Sequence, residues 1–200
     1  NRFITQIPIS PRLTTAEETI INQSKTYINQ EFTPMPGSVD KQSNINMFHY
    51  TLPDELTWGK AVGVVDTSAE NCLAWSFGFC SNERMAEHVA KDGHVFRNES
   101  NIPYSHTKVV STIKTLPAGM DNRSFINILC WDYIPDYNGH EAYILASAAK
   151  ESGDDWITPL FPLQSDPETI TEGKFRSVHI FEKLAPQVTR MTCVATVDFG

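Results

Sequence analysis

The stretch from Asp121 to Ala149 limits the possible folds more than any other part of the chain. Its first arm, Phe125-Ile126-Asn127-Ile128-Leu129-Cys130-Trp131, is rich in β-branched and aromatic residues. The second, Ala142-Tyr143-Ile144-Leu145-Ala146, is equally apolar. Between them Pro135-Asp136-Tyr137-Asn138-Gly139 carries the residue types that reverse a chain, so the segment predicts a hairpin of two long strands. A sheet with one wet face alternates apolar and polar residues, but here Phe125, Leu129 and Trp131 occupy one parity and Ile126, Ile128 and Cys130 the other. Both faces must therefore be covered. Two accounts fit: helices on both sides, or a helix on one side and an apolar cavity on the other.

Two hundred residues suffice for one full-sized core and are too few for two, so residues 1–200 are expected to form a single domain. No apolar run approaches the roughly 18 residues that cross a bilayer, so no transmembrane helix is expected. The formal charge is −8, and Lys and Arg are scattered singly. The basic stripe that neutralises phosphates is missing, which argues against nucleic acid as a partner. Cys72, Cys80, Cys130 and Cys193 form no CxxC pair and sit in apolar segments. Buried free thiols and a reducing, cytoplasmic or membrane-peripheral setting are expected. Matches to the glycosylation pattern at Asn22, Asn98 and Asn122 are too short to weigh. The start at Asn1 and the stop straight after a strand at Gly200 favour a domain cut from a longer chain.

Along the chain, Thr15-Ala16-Glu17-Glu18 has the form of a capping box, and a helix is predicted from about Thr15 to Phe32. Met47–Leu52 and Trp58–Val65 predict an antiparallel pair around Pro53-Asp54-Glu55. Asp66-Thr67-Ser68-Ala69-Glu70 starts a second helix with a broad apolar face, bent at Gly78, renewed at Ser81 and stopped by Gly93. A loop to Ser105, a strand from His106 to Leu116 and a turn through Pro117 lead into the hairpin. A long connection over 150–173, a candidate rim, precedes strands Phe175–Leu184 and Thr189–Phe199. Helices segregated from one antiparallel sheet make this an α+β domain.

Several of these segments, in this order and spacing, resemble a START domain, the lipid-transfer module related to the steroidogenic acute regulatory protein. They are Val65-Asp66-Thr67-Ser68-Ala69-Glu70 running to Trp75, Asn122-Arg123-Ser124-Phe125 opening a strand that reaches Trp131, Phe175-Arg176-Ser177, and the closing run from Thr192 to Gly200. The resemblance covers roughly residues 15–200. It implies a helix-grip fold: a curved antiparallel sheet around a C-terminal helix, enclosing a tunnel for one lipid or sterol. The concave face of the hairpin would then line the tunnel. In the family the last stretch leads into the helix that roofs the tunnel, whereas this chain stops at Gly200, so a domain lacking its C-terminal lid helix is expected. The acidic and basic positions of steroid-binding members fall near Val110 and Leu129, so sterol specificity does not carry over.

On this reading Phe125, Asn127, Leu129, Trp131, Tyr143, Leu145, Val178 and Ile180 are the candidate lipid-binding residues, with plain core packing the alternative for each apolar one. Asn127 needs a partner, which a backbone group or a ligand head could supply. Arg123 and Arg176, at strand entries, are assigned structural roles. His179 faces the tunnel or away from it according to register. No catalytic residue, metal or cofactor is expected. Cys80 and His88 are separated by about 12 Å along a helix, beyond hydrogen-bond reach, and His106, Cys130, Asp132 and His140 match no metal spacing. The function implied is lipid binding, with transfer between membranes and transient membrane contact. Two alternatives stand beside it: a ligand-free regulatory module of a larger protein, and a pocket enzyme of the cyclase or hydrolase type, which a charged cluster inside the cavity would favour.

Overall fold

The computed structural model describes residues 13–35, 45–51, 56–92, 96–101, 106–116, 121–151 and 170–200. The turn at 53–55, the stop at Gly93, the turn after Leu116 and most of the 150–173 connection lie outside the described residues. The element order is α1 (Thr15–Ile28), β1 (Thr33–Pro34), β2 (Asn46–Thr51), β3 (Thr57–Val65), α2 (Ala69–Phe77), α3 (Asn82–Asp92), β4 (Arg97–Asn101), β5 (Thr107–Lys114), β6 (Asn122–Tyr137), β7 (His140–Ala149), β8 (Ile170–Glu172), β9 (Lys174–Ala185) and β10 (Val188–Asp198). Apart from β8, which runs parallel to the start of β6, the strands form one antiparallel sheet in the order β1-β2-β3-β10-β9-β7-β6-β5-β4. The curved, unclosed sheet has helices on both faces.

The predicted hairpin is there, and it is longer than expected. Pro135 and Asp136 remain in β6 at a register shift, and the turn narrows to Asn138-Gly139. Their φ values of 56° and 84° are what a two-residue turn between twisted strands demands, and Asn and Gly adopt them at least cost. Asp136 accepts the Gly139 N–H at 2.9 Å.

Each parity of β6 and β7 meets a different helix. On one face Ile21 and Ile28 of α1 pack against Cys130, Ala142, Ile144, Ala146, Val178 and Ile180. Tyr27 stacks on Trp58 of β3 with ring centroids 4.3 Å apart. On the other face Ala69, Cys72 and Leu73 of α2 pack against Leu129, Trp131, Leu145 and Phe181. The double-sided apolar pattern is thereby explained, but α2 covers only part of its face.

Three details depart from expectation. The capping box of α1 sits one residue earlier, with Thr14 as cap and Glu17 bonding back to the Thr14 N–H at 2.8 Å. Glu17 is chosen over Glu18 because its other oxygen also accepts the Thr107 hydroxyl of β5, tying the helix to the sheet. The second helix is broken, not bent: α2 ends at Gly78 and α3 starts afresh after Ser81. Strands β1, β4 and β8 are too short or too polar to show in the pattern.

All four cysteines are free thiols, Cys72 and Cys130 buried and the others half-buried. Among the described residues no helix is long and apolar enough to cross a membrane.

Candidate functional site

Where α2 leaves the concave face uncovered, a cavity of about 800 Å³ opens between the sheet and the helical segment 75–88. Its floor is the odd parity of β6, with Phe125, Asn127 and Leu129, continued by Leu145 and Ser147 of β7. Phe175, Ser177 and His179 of β9 extend it, and Met191 and Val197 of β10 complete it. Val110 of β5 also lines it, so Val110 and Leu129 are both apolar walls of this cavity.

Four of the eight residues expected to contact a ligand, Phe125, Asn127, Leu129 and Leu145, therefore line the cavity. Trp131 and Tyr143 share that face but lie beneath or beside α2. Trp131 stacks on His106 at 4.1 Å, and the Tyr143 hydroxyl reaches Glu70 at 3.4 Å. Burial, then the Glu70 carboxylate, pushes the Tyr143 phenol up to about 12.

Val178 and Ile180 are misplaced by the sequence reading. Ala146 pairs with Val178 and Leu145 with His179, and residues directly opposite in an antiparallel pair share a face. Val178 and Ile180 thus belong to the α1 core, and Phe175, Ser177 and His179 take the cavity positions.

Asn127 donates from Nδ2 to the Ser147 Oγ at 3.0 Å and to the Phe175 carbonyl. Its amide donors are spent on bracing β6, β7 and β9, so protein groups supply the partners expected for it. Arg123 bonds the carbonyls of Asp121 and Phe199, holding the entry of β6 to the end of the chain through backbone oxygens. Arg176 pairs with Glu151 at 2.7 Å on the surface, drawing that carboxyl below its usual range.

The helical wall went unread in the sequence. Arg84 of α3 donates to the Trp75 and Ser76 carbonyls at 3.1 and 2.8 Å, capping the end of α2. Glu99 of β4 accepts the Cys80 N–H at 3.0 Å and pairs with Lys108 at 3.2 Å, so one carboxylate ties the 78–81 turn to β4 and β5. The Arg97 guanidinium lies 3.6 Å over the Phe79 ring, and Arg84 lies 5.6 Å from the same ring centroid. Amphipathic spacing in α3 was the one available signal for this wall; β4, Arg97-Asn98-Glu99-Ser100-Asn101, has no apolar alternation at all.

A thiol and an imidazole do meet, though not the pair considered. Cys193 Sγ lies 3.8 Å from His179 Nε2 across β9 and β10. Burial, then the charge of Arg84, pulls the His179 imidazole down to about 4, and burial pushes the Cys193 thiol up to about 11. Both groups are neutral near pH 7, the reverse of an activated thiolate. Among the described residues no three His, Cys, Asp or Glu side chains gather as a metal site.

One glycine shapes the cavity floor. A Cβ on Gly173 would lie 2.5 Å from Phe125 Cε1 and 3.0 Å from the Asp198 carbonyl oxygen. Gly173→Ala is expected to push the Phe125 ring into the cavity and lose about 2 kcal/mol, a fall of about 6 °C in Tm. Thermal unfolding measures it; an unchanged Tm would show that the ring yields without strain.

No protein-family model and no curated protein matches the sequence. Solved structures do. Human StAR-related lipid transfer protein 5 superposes with a TM-score of 0.64 at 13% identity, over 92% of this chain and 81% of that one. The fold is START-like. The lipid transfer and protein localization domain of human StarD13 matches the START-like chain at a TM-score of 0.58 and 12% identity, covering 94% of this chain and 85% of its own. A STAR-related lipid transfer protein from Xanthomonas axonopodis gives 0.59 at 9% identity, with 86% of each chain covered.

Proposed function

We propose that this START-like domain binds a single lipid in the cavity between α2–α3 and the concave sheet face, and passes it between membranes through transient contact. The observation that carries the reading is the cavity itself: about 800 Å³, floored by Phe125, Leu129, Leu145, Met191 and Val197. That volume is in the range of small-molecule sites, and the surface it exposes is more apolar than polar although many of its lining residues carry polar groups. Ten methylenes taken from water into it contribute about 8 kcal/mol, enough to retain a cargo without any covalent step. The lipid-transfer proteins that share the fold support the same reading.

Native mass spectrometry after incubation with a cell lipid extract tests it. One discrete adduct per chain is expected, and Leu129→Trp, which puts an indole where the acyl chain would lie, should weaken it by about tenfold or more. An intact fold that never carries an adduct would defeat the proposal. Movement of the adducted lipid from donor to acceptor vesicles, measured by fluorescence, tests the transfer half separately.

A catalytic pocket is the second reading, favoured by the charged side chains Arg84, Glu87 and Arg97 on one wall. It requires that the cargo be recovered chemically altered, whereas carriage returns it with its mass unchanged.

A further inference from the structure

The floor of the cavity holds a row of uncharged polar side chains within a mainly apolar surface. Asn127 of β6, Ser147 of β7 and Ser177 of β9 all line it, and they are 4%, 6% and 3% exposed. Ser147 lies directly opposite Ser177 in the β7–β9 pair, and Ser177 lies opposite Ala195 in the β9–β10 pair. Residues so paired share a face, and these are small, so a cargo atom has room to settle onto the two hydroxyls.

The hydrogen bonding inside the row is incomplete. Asn127 gives its Nδ2 protons to the Ser147 Oγ at 3.0 Å and to the Phe175 carbonyl. Ser147 therefore accepts, and its own proton is left to donate. Among the described residues no donor meets Asn127 Oδ1 and no side chain meets the Ser177 hydroxyl. Two residues along β9, on the same face, His179 Nδ1 is also buried without a partner among the described residues. Buried polar groups are nearly always paired, so a concentration of unmet ones beside a cavity calls for a cause.

What is left over has a definite pattern: two O–H donors, from Ser147 and Ser177, beside one acceptor, Asn127 Oδ1. A carbonyl or ether oxygen would satisfy the donors and leave Oδ1 unmet. A carboxylate would set its lone pairs against those of Oδ1. A hydroxyl accepts from a serine and donates to Oδ1, so a single atom completes the row.

We infer that the cargo is a lipid alcohol, its hydroxyl seated on Asn127, Ser147 and Ser177 and its hydrocarbon along Phe125, Leu129 and Leu145. This rests on the lipid-binding reading above and names the polar group that the cavity selects.

Three lipids with the same chain test it: oleyl alcohol, its methyl ether and cis-9-octadecene. They are offered in pairs from one methyl-β-cyclodextrin solution, and the adduct ratio is read by native mass spectrometry. The alcohol is expected to be taken up about tenfold over octadecene and about threefold over the ether, which accepts but cannot donate. Ser177→Ala is the variant of choice, because the Ser177 hydroxyl braces no neighbouring strand. It should cut the preference for alcohol over octadecene about fivefold. The Tm of the empty domain should hold or rise slightly, since deleting an unpaired buried hydroxyl removes a cost. Equal uptake of alcohol and octadecene, equal uptake of alcohol and ether, or a Ser177→Ala loss shared by all three would overturn the inference while leaving lipid binding intact. So would a fall of more than about 3 °C in the Tm of Ser177→Ala, which would show the hydroxyl already spent within the protein. An adduct from the cell lipid extract but none from these three would also defeat the alcohol alone. No adduct from either source would remove both readings.

Discussion

Phe181→Ala is expected to lose about 4 kcal/mol of stability, the largest loss of any single substitution considered. Phe181 has no exposed surface and packs in one cluster with Ala69, Cys72 and Leu73 of α2 and with Leu129, Trp131 and Leu145 of the sheet. Its removal deletes a full aromatic contact area and leaves a void that the rigid pleat of β9 cannot close. The void lies beneath α2, whose far end forms the cavity wall, so the helix should loosen and cargo retention fall with stability. Urea unfolding measures the effect: the midpoint should drop with little change of slope. A loss under about 1 kcal/mol would show that α2 settles onto the sheet without the ring.

Glu17→Ala comes next, with an expected loss of about 3 kcal/mol. The residue is 5% exposed, and its carboxylate serves the N-terminus of α1 and the Thr107 hydroxyl of β5 together. Truncation removes the capping box and strands a buried hydroxyl. The pH dependence has a definite sign. Burial alone raises the Glu17 pKa, but the hydrogen bonds from Thr107 and Thr14 outweigh it, and the folded-state value lies below the ordinary 4.5. A depressed carboxyl stabilises the fold above the unfolded-state pKa, and that contribution is lost as pH falls through the folded value. The stability difference between wild type and Glu17→Gln should therefore be full at neutral pH and shrink in acid below 4.5. A difference that stays constant into that acid range would mean that Glu17 acts by shape and not by charge.

The sequence revealed most where a pattern repeats along one element. In β6 the two parities are separately apolar over many residues, so the hairpin and its covered faces are legible in the pattern itself, whereas it is the resemblance to START domains that puts Phe125, Asn127, Leu129 and Leu145 on a cavity. It failed where two elements must be aligned. The parity of β9 depends on whether Leu145 meets Val178 or His179, and a slip of one residue exchanges every side chain between faces. Nothing in the long connection over 150–173 fixes that register, so Val178 and Ile180 were put on the wrong side. The charged wall was hidden for another reason. Arg97 belongs to an edge strand with no apolar residue, and the break that lets α3 swing Arg84 over the cavity rests on a single glycine after α2. Thr14-Thr15 and Glu17-Glu18 offer two equivalent frames for the capping box, so local sequence does not decide between them. Only the distant Thr107 distinguishes them.

The position of β10 in the sheet sets a constraint on biosynthesis. It lies between β3 and β9, and it is the strand through which the β2–β3 hairpin joins the rest of the sheet. Thr189 bonds the Thr67 carbonyl across 122 positions, and Thr196 bonds Thr57 across 139. A ribosome delivers the N-terminal hairpin long before its partner, so β3 waits with an open edge while the intervening strands emerge. Until then its apolar residues, Trp58 among them, are a target for chaperones and for other nascent chains. Release of β10 from the exit tunnel is the event that joins β2 and β3 to the rest of the sheet, and yield in the cell should be governed by how quickly the turn at residues 186–187 brings that strand against β9 and β3.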